Sequence, residues 1–330
     1  MPQKTNIEWT DYTSNPIVPR EGGWGCTKVS PGCDHCYAEV INKRFGNKRP
    51  FEGRWEFVLK DKELADLTKL PAGSKVFLGD MTDIFHSDVP WEILVRVFNL
   101  MAATPQHIYQ ILTKRPGRMA YFANKVLPEW NNCHATGPWD WPPNVWAGTS
   151  VESQKYVPRL ECLARVPARV RFVSVEPMLG LVDLRKWLGM CYAGCPDNLE
   201  CPTCGNESIL SWVIAGGESG PGARPMHPGW VRGLRDECEA AGVPFFFKQW
   251  GQWAPCTTAH DTGWAATAPE KRWMYERLLS PGNRYAGRPS SVKKHTFEDG
   301  LVVYKIGKKA AGALLDGREW QEMPGSASGS

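Results

Sequence analysis

The 330-residue chain lacks a long apolar run, and its first residues lack an apolar leader. No stretch approaches the roughly 18 consecutive apolar residues that a membrane span requires. The opening MPQKTNIEWT has no apolar signal core. Neither sign of charge dominates, since 39 Lys and Arg oppose 35 Asp and Glu. The net charge of +4 permits a phosphate-bearing partner without requiring one. We therefore expect a cytoplasmic protein with no membrane partner and with reduced thiols.

The sequence also lacks the histidine-rich motifs of hydrolytic zinc enzymes, such as HExxH. Cysteine, in contrast, is plentiful. Most of the 11 cysteines fall into two groups, and in a reducing compartment they favour metal binding or catalysis over disulfides. With 42% hydrophobic and 22% charged residues, the composition is that of a globular protein.

Short apolar runs alternate with helix-like segments along most of the chain. The runs that begin at residues 75, 107, 144, 169, 211 and 243 are KVFLGDMTD, HIYQILTKR, NVWAGTSVE, RVRFVSVEP, SWVIAGGES and VPFFFKQWG. A further strand is expected near 6–12. Such runs, linked by helices, indicate buried parallel strands with crossovers. The six or seven strands predict an α/β fold, as a partial or full (β/α) barrel, with a doubly wound open sheet as the alternative.

Composition divides the chain into a main body and an extension. We assign 1–255 to the barrel, including a cysteine-rich metal-binding insertion at 188–208. Residues 256–324, rich in Gly, Pro, Lys and Arg, are expected to form an irregular C-terminal extension. The terminal GSASGS at 325–330 has the composition of a flexible linker or tag.

Polar residues cluster where the apolar runs end, and in (β/α) barrels these ends carry the active site. Ser150 and Glu152 follow one run, and Ser174 and Glu176 follow the next. Because side chains alternate along a strand, each pair is expected to face the inside of the barrel. A buried carboxylate is unfavourable without a ligand or a basic partner, and Lys248 is a candidate either for that partner or for a substrate contact.

The first cysteine group lies in the loop WGCTKVSPGCDHCY at 24–37, with the pattern C-x6-C-x2-C. It comprises Cys26, Cys33 and Cys36. An odd number of thiols argues against a disulfide. Zinc would need a fourth ligand, for instance His35. A four-iron cluster held by three cysteines would instead leave one iron open to a substrate or cofactor.

The second group lies in CYAGCPDNLECPTCG at 191–205. Its members are Cys191, Cys195, Cys201 and Cys204. CPTCG resembles a zinc knuckle, so a structural zinc site is the leading interpretation, with an auxiliary iron–sulfur cluster or unligated thiols as alternatives.

Several separated motifs are similar to those of one superfamily. GCTKVSPGCDHCYAE resembles the cluster loop of radical S-adenosylmethionine (radical SAM) enzymes. Together with SVEPML, WVIAGGESGPGARPMHPGWVR and FFFKQWG, it most closely resembles a phage-borne family of radical-SAM-like proteins, over about residues 6–255. The loop departs from the superfamily in having six rather than three residues between its first two cysteines. Ser30, Pro31 and Gly32 would form the turn that brings Cys33 back beside Cys26.

The resemblance implies a radical SAM enzyme. Cys26, Cys33 and Cys36 would bind a [4Fe–4S] cluster whose open iron binds S-adenosylmethionine. One-electron reduction, by a donor such as a flavodoxin or ferredoxin, would give methionine and a 5′-deoxyadenosyl radical that abstracts hydrogen from a substrate. The expected cofactor-binding residues are His35, Tyr37, Ser150, Glu152, Ser174, Glu176, Gly216, Gly217, Glu218 and Lys248. Asp80 and Asp83 are further candidates for the methionine amino group.

The resemblance also suggests a substrate. Some phages remodel modified pyrimidines in their own DNA with radical SAM enzymes, so we expect a DNA base or nucleotide as substrate, in the host cytoplasm. The basic KRPGR at 114–118 and the lysine pairs at 293–294 and 308–309 would then contact phosphates. The alternative is a zinc-stapled nucleic-acid-binding module without catalysis, because clustered cysteines, basic residues and aromatics suit that class as well.

Overall fold

The computed structural model describes residues 1–134, 140–190, 208–255 and 293–325. The cysteines at 191, 195, 201 and 204 lie outside these ranges, as does most of the C-terminal extension, so a metal site in the insertion stays a prediction. Among the described helices, none is long and apolar enough to cross a membrane.

The strands of the described ranges are short. In chain order they are β1 (Gln3–Lys4), β2 (Tyr12–Ser14), β3 (Ile17–Pro19), β4 (Phe57–Leu59), β5 (Lys75–Leu78), β6 (Ile108–Thr113), β7 (Val145–Ser150), β8 (Arg171–Val175), β9 (Trp212–Gly216), β10 (Phe245–Gln249), β11 (Trp253–Pro255), β12 (Lys294–Thr296), β13 (Val302–Lys305), β14 (Leu314–Leu315) and β15 (Arg318–Glu319).

Helices connect most of these strands. They are α1 (Tyr37–Phe45), α2 (Asp61–Asp66), α3 (Trp91–Ala103), α4 (Pro116–Tyr121), α5 (Leu127–His134), α6 (Arg159–Leu163), α7 (Pro228–Ala241) and α8 (Lys308–Ala311). The helix-like segment expected after the apolar run at 75–83 is present as α3, which begins after Pro90 and buries Leu94, Phe98 and Met101. These positions are spaced by four and three residues, so they lie on one face.

Eight strands form a mixed, mostly parallel sheet in the order β1-β2-β5-β6-β7-β8-β9-β10. Only β1 pairs in the antiparallel sense. The predicted α/β class is confirmed. From β2 to β10 the strands lie in chain order, whereas a doubly wound sheet reverses its order at a switch point, so that alternative disagrees with the structure. No hydrogen-bonded pairing joins the edge strands β1 and β10 in the described chain.

The two faces of the sheet bury different side chains. Val213 and Ala215 pack in the large core formed with the helices, whereas Trp212 and Ile214 face the other way. On that second face they join an aromatic cluster, which we call the aromatic face; its other buried members are Trp9, Phe77, Trp146, Phe172 and Phe246. In the interior of the sheet, β9 is thus apolar on both sides, as expected for a buried parallel strand.

The first parallel strand lies later than predicted. We expected a strand near 6–12, but the chain turns there, with Thr10 N donating to Ile7 O at 3.2 Å, and β2 begins at Tyr12. The carboxylate of Asp11 accepts from Lys75 N at 2.8 Å. The turn allows Trp9 to lie over the aromatic face, which a continuous strand would not allow.

The C-terminal segment covers one edge of the sheet. Phe247 N donates to Trp320 O at 2.8 Å, and Glu322 N donates to Phe245 O at 3.2 Å. Trp212 Nε1 also donates to Glu322 O at 2.8 Å. The free edge of β10 is therefore paired over a short stretch, which protects it from pairing with another chain.

Gly148 provides a test of packing on the aromatic face. A Cβ at this buried position would lie 2.3–2.6 Å from ring atoms of Phe172. We expect Gly148→Ala to lower the free energy of unfolding by about 1–3 kcal/mol, because overpacking forces the ring or the backbone to move. Urea denaturation followed by circular dichroism measures the change.

Gly233, within α7, is the matched control because a Cβ there meets no atom within 4 Å. Gly233→Ala should raise the free energy of unfolding by about 0.5–1 kcal/mol. Equal effects of the two substitutions would show that Phe172 does not require a glycine at position 148.

Candidate active site

A cavity of about 470 Å³ lies at the carboxyl ends of the parallel strands. Its volume is within the usual range of ligand pockets. Cys26, Cys33 and Cys36 all line it. Eight of the ten expected cofactor-binding residues also line it, namely His35, Tyr37, Ser150, Ser174, Glu176, Gly217, Glu218 and Lys248. Glu152 and Gly216 do not.

The cysteine loop, which we define as residues 24–37, connects β3 with α1. A single 3₁₀ turn at Pro31–Cys33 reverses the chain, with Cys33 N donating to Ser30 O at 2.8 Å. The turn lies where the sequence predicts one. Trp55 holds the start of the loop by donating from Nε1 to Cys26 O at 2.8 Å.

Two thiols of this loop, those of Cys26 and Cys36, have raised pKa values. Burial raises the pKa of Cys26 to about 11, and Asp83 acts in the same direction, while Arg115 opposes the shift. Burial also raises the pKa of Cys36. Since thiolates are the forms that bind metals, a positively charged metal centre would supply the stabilisation that these sulfurs need in order to ionise.

In the described part of the chain, the three sulfurs are not grouped around one position where a single zinc ion would bind. Zinc binds sulfur at about 2.3 Å, which brings its ligands to about 4 Å from one another. In the described ranges no three His, Cys, Asp or Glu side chains are grouped so as to hold one ion. His35, considered as a fourth zinc ligand, instead has its Nδ1 3.1 Å from Glu218 Oε2. Three soft sulfur donors around one cavity suit a larger cluster with an open iron.

Glu152 lies beneath the cysteine loop and is fully buried. Its Oε1 accepts from Ser30 Oγ at 2.6 Å, and its Oε2 accepts from Arg159 Nη1 at 2.9 Å. Lys114 Nζ lies 3.5 Å from Oε1. The expected basic partner is therefore present, but the expected contact of Glu152 with a cofactor does not agree with this position. Gly32 passes so close that a Cβ there would lie 2.5 Å from Oε1.

Glu218 and Arg224 hold the other side of the loop. Arg224 donates to Glu218 from its backbone N at 2.8 Å, from Nε at 2.9 Å and from Nη2 at 2.6 Å. Nη2 also donates to Pro31 O at 2.8 Å. Burial opposes ionisation of Glu218, but the hydrogen bonds from Arg224 and His35 outweigh it and lower its pKa. Through Arg224, Glu218 is thus linked to the backbone of the cysteine loop.

The glycines before Glu218 serve chain packing. A Cβ on Gly217 would lie 2.0 Å from Trp250 O, and one on Gly216 would lie 3.2 Å from Glu176 Oε1. At these two positions, the lack of a side chain allows close contacts within the protein itself.

Arg115, which the sequence analysis assigned to phosphate contacts, lies instead beside the cysteine loop. Its Nη2 donates to Thr27 O at 2.9 Å and to Thr27 Oγ1 at 2.8 Å, and its Nη1 donates to Asp83 Oδ2 at 2.8 Å. Arg118 lies over the ring of Trp91 at 3.6 Å. Both arginines of KRPGR are thus engaged within the protein, which disagrees with the expected phosphate contacts. The sequence did contain a signal for this ion pair, because Asp83 and Arg115 follow neighbouring strands.

The remaining strand-end residues face the cavity in pairs. Ser150 and Ser174 are register partners on β7 and β8. Lys248 Nζ donates to Glu176 Oε2 at 3.0 Å, so Lys248 is the counterion of Glu176.

Asp80 is a cavity carboxylate that forms no ion pair with any Lys or Arg of the described chain. Its Oδ1 accepts from Asn15 Nδ2 at 2.6 Å, and its backbone oxygen accepts from Tyr37 Oη at 2.5 Å. Burial raises the pKa of Asp80. A cationic group of a ligand would therefore find an uncompensated carboxylate here.

Substitution of Glu152 is expected to have a large effect on stability. In Glu152→Gln the guanidinium of Arg159, only 13% exposed, loses its charged partner. We expect the free energy of unfolding to fall by about 3 kcal/mol, since breaking a buried pair leaves an uncompensated charge. Asp61→Asn is the control, because its pair with Arg96 is exposed, and it should change stability by less than about 0.5 kcal/mol. Similar urea midpoints for the two variants would contradict the role of Glu152 as the buried partner of Arg159.

The buried His86 is expected to make the free energy of unfolding depend on pH. Burial, aided by Arg115, lowers its pKa to about 4, so between about pH 6.5 and pH 4 the unfolded state binds the extra proton. Stability must then fall as pH drops through this window, by about 2 kcal/mol between pH 7.5 and pH 5. His86→Gln, which does not titrate, should flatten the profile of unfolding free energy by that amount. An unchanged slope in this variant would refute the assignment.

No curated protein matches the chain. Matching solved structures include a cysteine-to-serine variant of spore photoproduct lyase, 12% identical with a TM-score of 0.41, covering 94% of this chain and 72% of that one. Another is a double variant of that enzyme with bound AdoMet and dinucleoside spore photoproduct, 12% identical with a TM-score of 0.40, covering 93% and 71%. The family described as Protein of unknown function (DUF5131) matches residues 4–324, and the chain belongs to this family.

Proposed function

We propose that this protein is a radical SAM enzyme in which Cys26, Cys33 and Cys36 bind a [4Fe–4S] cluster. The observation that carries the proposal is the convergence of three sulfurs, with no fourth from the described part of the chain, on one cavity at the carboxyl ends of the sheet strands. When bound, such a cluster supplies one electron to the sulfonium of S-adenosylmethionine, which yields methionine and a 5′-deoxyadenosyl radical.

The residues of the cavity suit the parts of S-adenosylmethionine. Asp80 would bind the amino group, because its carboxylate has no basic partner in the described chain. Lys248, only 18% exposed, would bind the carboxylate while keeping its contact with Glu176. The neighbouring Ser150 and Ser174 would bind the ribose hydroxyls. His35 and Tyr37 are assigned to the adenine side, next to the third cysteine.

The aromatic face gives the cavity an apolar wall. Trp9, Phe77 and Leu112 line the cavity and also belong to, or pack against, the aromatic cluster. Such a wall keeps water from a reactive radical, and this exclusion is a requirement of the proposed chemistry.

For the substrate, we propose a DNA base or a nucleotide. Lys308 of α8 lines the cavity, and Lys294 of β12 is exposed on the same C-terminal part of the chain. These lysines, rather than KRPGR, are the candidates for phosphate contacts. A flavodoxin or ferredoxin is the proposed electron donor. A zinc-stapled binding module, the alternative, leaves the polar cavity beside the three thiols without a role.

Removal of one cysteine tests the proposal. Protein purified without oxygen is assayed for iron, sulfide and zinc, and then for 5′-deoxyadenosine after addition of S-adenosylmethionine and dithionite. Cys33→Ala should lose its bound iron, and its yield of 5′-deoxyadenosine should fall by at least about 10–100-fold. A fall in this range is expected even for weaker disturbances of a metal site. Cys133→Ala, which removes an exposed thiol outside the loop, should behave as wild type. Stoichiometric zinc at the loop, or wild-type protein without iron, would contradict the proposal.

A further inference from the structure

Arg115 contacts the first cysteine directly. Its Nη1 lies 3.7 Å from Cys26 Sγ and donates at 2.8 Å to Asp83 Oδ2, so one nitrogen is shared between the sulfur and the carboxylate. The other nitrogen, Nη2, holds both the backbone oxygen and the hydroxyl of Thr27, the next residue of the loop. The guanidinium thereby fixes the position of Cys26 from two sides.

Asp83 is itself held by the protein. Its Oδ1 accepts from Thr113 Oγ1 at 2.7 Å and from Phe85 N at 3.0 Å. The side chains of Arg115 and Asp83 are only 13% and 11% exposed. Two opposite charges are therefore held beside the cavity, where solvent screens them less than at the surface.

We propose that Arg115 and Asp83 act as a positioning pair, which fixes Cys26 and sets the net charge beside a cluster bound at the loop. The inference rests on the proposed function. The reduction potential of an iron–sulfur cluster depends on nearby charge and on hydrogen bonds to its sulfurs. Because reduction adds a negative charge, a net positive charge at this position favours the reduced cluster, and a net negative charge disfavours it. With both partners present, the effects of the two charges on the reduction potential oppose each other.

Two substitutions separate this role from simple packing. Asp83→Asn keeps the side-chain shape but leaves the guanidinium uncompensated, so the midpoint potential should shift upward. Arg115→Gln leaves the carboxylate uncompensated, so the potential should shift downward. A role in packing alone would lower iron content in both variants without opposite shifts.

Arg115→Lys separates charge from geometry. It keeps the positive charge but loses the planar fork that binds Thr27 and Asp83 together. We expect a potential closer to that of wild type than the Arg115→Gln value, together with a lower free energy of unfolding. This variant and Asp83→Asn decide the question if Arg115→Gln fails to fold.

The experiment uses the full chain, reconstituted anaerobically with iron and sulfide and titrated with dithionite while electron paramagnetic resonance follows the reduced cluster. Asp61→Asn, remote and exposed, should match the wild-type potential. Shifts in the same direction, or no shift, for Asp83→Asn and Arg115→Gln would overturn the inference while leaving the proposed function intact. Wild-type protein that binds no iron would overturn the proposed function and, with it, this inference.

Discussion

The carboxylate of Glu152 lies fully buried between the hydroxyl of Ser30 and the guanidinium of Arg159, and the placement of the cysteine loop depends on this contact. A buried charge requires a partner of opposite sign, and here the partner is the first residue of α6, a few residues after Glu152 itself. The loop is therefore tied to an element whose position is already determined by the sheet. Gly32 allows the loop to approach closely enough for the hydrogen bond to form.

The same principle recurs at other strand ends. Asp83 with Arg115 follows β5 and β6, and Glu218 with Arg224 follows β9; each pair also donates a hydrogen bond to a backbone oxygen of the loop. Buried ion pairs contribute little net stability compared with apolar packing of the same volume. Their effect here is on geometry, because charged hydrogen bonds are directional. The strand ends of the parallel sheet in this way determine the position of the loop that carries the three cysteines.

The sequence predicted the parts of this arrangement that follow from local periodicity. Alternation along β7 and β8 correctly placed Ser150, Ser174 and Glu176 on the cavity side, and the apolar spacing of α3 indicated a helix. Glu152 has the same alternation, yet a loop distant in sequence covers it, and no local pattern reports such a contact. Arg115 was assigned to phosphates since exposure cannot be read from a run of basic residues. The start of β2 was misplaced because Trp9 packs on the aromatic face through a turn.

The pairing of residues 320–322 with β10 has a consequence for biosynthesis. During translation, the amino-terminal strands leave the ribosome long before the segment that covers the last strand. The hydrogen-bonding groups along that edge stay open until residues 320–322 have been made. A nascent chain with an open edge is prone to pair with its neighbours on a polysome, so the rate at which the segment between β10 and residue 322 is translated bears on the yield of native protein.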